Sequence, residues 1–274
     1  MLKKIIFIIV GILLINFPAQ SGELSISGLL KWNSGNYIYS NVTNTAYFNT
    51  SFQYKTDRYS LSINVPMISQ NTDMITHMSG GIIPTADGHE NEFDNDEHDH
   101  DMFSDGHMGE HMMNWKFSDL FLNVGWTMLK EADNIPALSF IAFIKFPTAS
   151  TKQNLGTGEM DYGIGISTRK NLDFVYGFLD INYYILGDPI GYDLKNPIGF
   201  GLGIGNSFLN EKIGLSVYYY GYTDILQGIE PPRELSLNIN YQVNHKYQLN
   251  GGLLFGFSKT SPDLGLFVGS SVSF

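Results

Sequence analysis

Alternation with a period of two dominates this chain from Gly22 to Phe274. In Glu159 to Arg169, "EMDYGIGISTR", one parity reads Met160, Tyr162, Ile164, Ile166 and Thr168. The other reads Glu159, Asp161, Gly163, Gly165, Ser167 and Arg169. Successive side chains of a strand point to opposite faces, so this is a strand with one apolar face and one polar or empty face. "PIGFGLGIGN" sets Ile198, Phe200, Leu202 and Ile204 against four glycines. "ELSLNINYQV" sets Leu235, Leu237, Ile239, Tyr241 and Val243 against Glu234, Ser236, Asn238, Asn240 and Gln242.

Twelve such segments are read, near 23–33, 44–56, 59–69, 117–129, 137–147, 159–170, 173–186, 197–209, 212–223, 232–243, 247–258 and 263–274. The connections alternate between short and long. An even strand count, with short turns at one end and longer loops at the other, predicts an all-β fold: a closed antiparallel transmembrane β-barrel of about 12 strands. A soluble β-sandwich would also alternate. Three features favour the barrel. The segments approach the ~9–11 residues of a tilted membrane strand. Aromatics cluster near strand ends, in "YYYGY" and "NYYIL". The last strand, "DLGLFVGSSVSF", ends on Phe274, the pattern of a terminal strand read by the outer-membrane assembly machinery.

The N-terminus predicts how the chain reaches that membrane. Lys3 and Lys4 precede an apolar run, Ile5 to Phe17, and Ala19 and Ser21 stand at the minus-three and minus-one positions of a cut after Ser21. This is a secretory signal over 1–21, with the barrel over 22–274. The apolar run is short for a helical span of roughly 20 residues. The expected location is therefore the outer membrane of a Gram-negative bacterium, with lipid as a partner.

Charge is distributed unevenly. The formal net charge is −11, and ten acids fall between Asp87 and Glu110 with no base between Arg58 and Lys116. The rest is nearly balanced, which gives no reason to expect nucleic-acid binding. No cysteine is present, so there is no disulfide framework.

Four blocks carry a family resemblance: "SLSINVPMIS" from Ser60, "FIKFPTAS" from Phe143, "NLGTGEMDYGIGIS" from Asn154 and "INYYILGDPIG" from Ile181. In content, order and spacing they resemble the outer-membrane transporter family named after the MetA pathway of phenol degradation, from about Tyr47 to the C-terminus. The chain departs from that pattern at Pro147-Thr148-Ala149, where the family often has Pro-Thr-Gly. It departs again at Lys116-Phe117-Ser118-Asp119, where the family has Gly-x-Gly-Asp. The resemblance implies a barrel that passes small, often hydrophobic compounds.

With that topology, the inward parity holds Lys31, Lys55, Asp119, Lys145, Glu159, Asp161, Arg169, Asp180, Lys212 and Glu234, with aromatics including Tyr47, Phe121, Phe143, Tyr176, Phe178, Tyr218 and Tyr220. The expected pore-lining set is Lys145, Glu159, Asp161, Arg169, Tyr176, Asp180, Lys212, Tyr218 and Glu234. Inward glycines are expected to leave space. The function read from this is a channel or transporter for small solutes, hydrophobic or aromatic ones among them. The alternative for the inward charges is that they pair and fill the lumen. An enzyme is not expected. Outside 77–111 the only histidine is His245, in a predicted short turn without a Ser or acid partner at a catalytic spacing. No Gly-x-Ser-x-Gly motif supports one either.

The longest connection, about 70–116, is expected outside the cell. It gathers His89, His98, His100, His107, His111, Asp99, Asp101 and Met108 among its acids. Imidazole and thioether suit Cu, Zn or Ni better than Ca or Mg. The alternative function is thus a metal-binding or metal-responsive surface loop. No cofactor is required by either reading.

Overall fold

The computed structural model describes residues 22–39, 41–72, 75–79, 81–84 and 114–274. The signal segment 1–21 and the stretch 85–113 lie outside the described residues. So do the metal candidates His89, His98, Asp99, His100, Asp101, His107, Met108 and His111.

Twelve long strands form the wall: β1 (Glu23–Gly35), β2 (Thr43–Lys55), β3 (Tyr59–Gln70), β7 (Leu120–Leu129), β8 (Ala137–Phe146), β9 (Asp161–Leu172), β10 (Val175–Ile185), β11 (Ile198–Phe208), β12 (Ile213–Tyr222), β13 (Arg233–Gln242), β14 (Tyr247–Gly256) and β15 (Leu264–Ser273). Each pairs antiparallel with its neighbours, β1 pairs with β15, and β2 pairs with β3, so the sheet closes on itself. Every backbone donor and acceptor in the wall can then pair internally, as a lipid environment demands. Each of the twelve strands overlaps one of the segments that the alternation predicts, with its ends shifted by a few residues at most. No helix among the described residues is long and apolar enough to cross a membrane; a barrel crosses with strands.

The parity holds around the barrel. Leu202, Ile204, Leu215, Leu237, Ile239, Leu253 and Val268 are exposed on the outer wall. Their neighbours in sequence point inward. The start of β1 and the end of β15 lie together at the short-turn end, where the Phe274 amide donates to the Leu24 carbonyl at 2.8 Å. The turn between β11 and β12 runs Leu209, Asn210 and Glu211 through three successive left-handed conformations.

The loop end differs from the expectation of a purely external connection over 70–116. Two short strands, β4 (Ile75–Met78) and β5 (Gly81–Pro84), form a separate hairpin. Its Met78 and Ile83 are buried against Tyr184, Leu186, Leu194 and Ile225, with Phe143, Tyr192, Tyr222 and Leu226 packed around them. The hairpin therefore sits in the barrel mouth, because it carries enough apolar surface to form a small core there. A two-residue strand, β6 (Lys116–Phe117), pairs with β3 before β7 begins. The break between β6 and β7 falls opposite Pro66, whose carbonyl accepts from the Ser118 amide at 2.9 Å.

Candidate functional site

The barrel interior is built from the polar parity of the strands, and it has three parts. The outermost is a chamber of about 470 Å³ beside the mouth hairpin. Its lining mixes chemistries: Lys31, Asn49, Asn64, His77 and Glu234 with Tyr47, Phe121, Tyr220 and Tyr222. Neither Lys31 nor Glu234 has an ion-pair partner among the described residues. His77, outside the spanning strands, tethers the hairpin to the wall. Its Nδ1 hydrogen-bonds the Tyr47 hydroxyl, and its Nε2 donates to Gln70 Oε1 at 3.1 Å. Burial, with Lys31 adding to it, pushes the His77 pKa down to about 3. The ring is therefore neutral at ordinary pH, which fits one nitrogen accepting while the other donates.

One flank of the mouth is closed by a buried ion cluster. Lys145 Nζ lies 2.9 Å from Asp161 and 3.4 Å from Asp119, and it donates to Thr157 Oγ1 at 2.8 Å. Lys145 is 0% and Asp161 1% exposed. The carboxylates take further donors: Asp119 from the Ala149 amide, Asp161 from the amides of Gly187 and Ser79. The Ser79 contact ties the hairpin to this cluster. One Lys and two Asp, all buried, need such supplementary donors to offset the loss of water.

The second part is a ladder of aromatic rings. Tyr176 and Phe178 lean from β10, Tyr218 and Tyr220 from β12, all over β11 between them. Consecutive ring centroids are 6.0, 5.3 and 5.9 Å apart, in stacked orientations. Tyr220 then meets Tyr222 edge-on at 5.0 Å, and Tyr184 and Phe143 continue the cluster. β11 makes this possible by presenting glycine at every inward position from 199 to 205. A Cβ there would lie 2.5 Å from Tyr220 at Gly199, 2.2 Å from Phe178 at Gly203 and 2.4 Å from Tyr176 at Gly205. At Gly201 the Tyr218 ring occupies the same place. The expectation that these glycines leave space is corrected: rings from both neighbouring strands fill it. Strand glycine often marks such a close approach. Hydroxyls along the ladder are also held. Tyr218 donates to Asp180 Oδ2 at 2.9 Å, and the Tyr220 oxygen accepts from Asn182 at 3.1 Å and lies 2.6 Å from the Tyr184 oxygen.

The third part is a chamber of about 430 Å³ at the short-turn end. Glu23 and Lys55 line it together with nine serine, asparagine and glutamine residues, among them Ser27, Gln53, Asn250 and Ser273. No apolar side chain contributes to its lining.

These parts locate the residues expected to line a pore. Tyr176, Asp180 and Tyr218 lie in the ladder, and Arg169 stacks on Tyr176 with its guanidinium 4.3 Å from the ring centroid. Glu234 borders the outer chamber. Lys145 borders it too, but its charge is turned into the ion cluster with Asp161, so these two follow the paired-charge alternative. Glu159 and Lys212 fall outside the strands, exposed in the loop before β9 and the turn before β12. Of the "YYYGY" and "NYYIL" clusters, Tyr218 and Tyr220 face inward as their parity predicts, and Tyr222 and Tyr184 join them in the ladder. The signal that could have revealed the ladder was present, since β10 and β12 carry aromatics on the parity on which β11 carries glycine. Among the described residues, no group of three or more His, Cys, Asp or Glu could hold a metal ion.

A closed twelve-strand barrel with an apolar outer wall and a partly filled, chambered lumen defines the chain as a β-barrel of the outer-membrane type. Comparison with solved structures agrees on the fold. The chain superposes on an outer membrane channel from Pseudomonas putida F1 with a TM-score of 0.65 at 13% identity, over 94% of this chain and 98% of that one. It superposes on the NanC porin with a TM-score of 0.53 at 9% identity, over 92% of this chain and 100% of that one. No family model matches the chain, and a search of curated proteins finds no match either. The likeness is one of fold.

Proposed function

We propose that this protein is an outer-membrane channel or transporter for small solutes with hydrophobic or aromatic surface, in a Gram-negative bacterium, reached by way of a cleaved signal peptide. The aromatic ladder carries this reading. It begins at the outer chamber, which Tyr220 and Tyr222 line, and descends to Tyr176, just inside the β9–β10 turn at the opposite end. A barrel serving only as an anchor has no need of a strand kept free of side chains so that rings can cover it. The fold is shared with a protein that is itself an outer membrane channel, which supports a channel in preference to an enzyme. Purified protein in a planar bilayer should give discrete single-channel currents. Silence despite correct insertion would favour an anchor.

The loop supports a second reading, carried by its histidine content. In it, the stretch Phe93 to Met113 binds Cu, Zn or Ni at the cell surface. A peptide of that stretch should bind Zn or Cu in preference to Ca, and lose them as pH falls through about 6.5, where imidazole protonates. Equal binding after His98, His100, His107 and His111 are changed to Gln would reject it.

A further inference from the structure

Resting on the channel reading, we propose that the lumen selects flat ring solutes that carry hydroxyl groups on their rim, and that it discriminates against bare hydrocarbons of the same size.

Two independent features of the lumen point to this class. The ladder offers ring faces, which suit any flat apolar face through dispersion and the ring quadrupole. Its margin, however, is polar. Asp180 Oδ2 is taken by Tyr218, while Asp180 Oδ1 has no hydrogen-bond partner among the described residues and remains an acceptor beside the rungs. Asn182 lies one inward position further up the same strand, bonded to the Tyr220 oxygen. A solute lying on the rungs thus meets acceptors and donors at its edge. A hydroxylated rim satisfies them. A hydrocarbon lying there would shield those groups from water and return no hydrogen bond, which is unfavourable.

The inner chamber sets the same requirement again. Its lining is hydroxyl, amide and two charged groups, with no apolar side chain. A hydrocarbon leaving Tyr176 would gain nothing there over water, whereas hydroxyls exchange water for serine and asparagine at little cost. The wall is hydrogen-bonded around the full circumference, so a solute that follows the ladder cannot leave sideways and must exit at the short-turn end, where that polar chamber lies. The shared chemistry, an apolar face and a hydroxylated rim, belongs both to substituted aromatic rings and to pyranoses.

The test compares benzyl alcohol, methyl glucoside and toluene at equal free aqueous concentration, as blockers of single-channel current. In parallel, saturation-transfer NMR of the same solutes is recorded on the full chain in deuterated micelles, against empty micelles. Benzyl alcohol or methyl glucoside should block and show transfer, and toluene should do neither above the micelle control. Whichever of the two binds assigns the rim to an aromatic or to a sugar. Phe178→Ala should weaken that binding by roughly tenfold, the scale of one ring contact, and Asp180→Ala should weaken it too. Phe178→Leu, which keeps an apolar side chain, guards against a folding artefact. Toluene binding as well as benzyl alcohol, or binding unchanged in both alanine variants, overturns the proposal. Current without any blockade or transfer overturns it while leaving the channel reading intact. Transfer that depends on Phe178 in a protein giving no current sinks the channel reading and upholds the site.

Discussion

At the scale of single residues, the interior is decided by how buried polar groups are paired. Lys145 is fully enclosed with Asp119 and Asp161. Lys145→Met keeps most of the volume but leaves two buried carboxylates without their cation. It is expected to destabilise the barrel by about 3–5 kcal/mol, read from denaturant unfolding in micelles; no change in the midpoint would show that the cluster is solvated. His77 makes a different prediction. With its pKa pushed down to about 3 by burial and by Lys31, the docked hairpin binds fewer protons than an undocked one, whose histidine titrates near 6.5. Docking is therefore at full strength above about pH 6.5 and weakens as pH falls from there toward 3, by up to ~1.4 kcal/mol per pH unit. Protection of the amides at 75–84, taken as exchange relative to the intrinsic rate at each pH, should fall between pH 7 and 5, before the carboxylates titrate, and His77→Gln should remove that dependence. Protection unchanged over this interval in the parent would contradict the buried placement of the ring.

At the scale of the strand, parity assigns every position to lipid or lumen. Arg at Leu202 or Leu237, both on the outer wall, should cost ~2–4 kcal/mol if near the bilayer midplane. Arg at Asn238, on the inward face of β13, should alter conductance more than stability. The opposite pattern would mean a one-residue slip, which exchanges the two faces. Gly203 is not a neutral lumen position, because Phe178 occupies the space above it. A side chain there must displace a rung of the ladder.

At the scale of the whole molecule, two devices flank the barrel. The mouth hairpin is pinned by His77 to Tyr47 and Gln70, and by the Ser79 amide to Asp161. Deleting 75–84 should raise single-channel conductance, since the hairpin occupies part of the mouth; an unchanged current would place the limiting constriction deeper, at the ladder. At the other end, β15 closes the barrel against β1, with Phe274 exposed beside Leu24. If the terminal aromatic is what the assembly machinery reads, Phe274→Ser should lower the amount of heat-modifiable folded barrel in the outer membrane while export continues. Wild-type accumulation would remove that role.

The barrel, its strand count, its inward and outward faces and its two unlike ends were legible in the sequence alone. Each follows from a period-two pattern that is local and that one strand repeats without knowing its neighbours. What lies inside the barrel was not. Lys145 and Asp161 read as pore charges until β8, β9 and the loop carrying Thr157 brought them together. Gly199 to Gly205 read as empty space until rings from β10 and β12 leaned over them. His77 read as one more loop histidine until the hairpin carried it to Tyr47. These are contacts between side chains on different strands and in a folded-back loop. Their partners are chosen by register, ring direction and the apolar surface of the hairpin, and those quantities exist only once the sheet has closed.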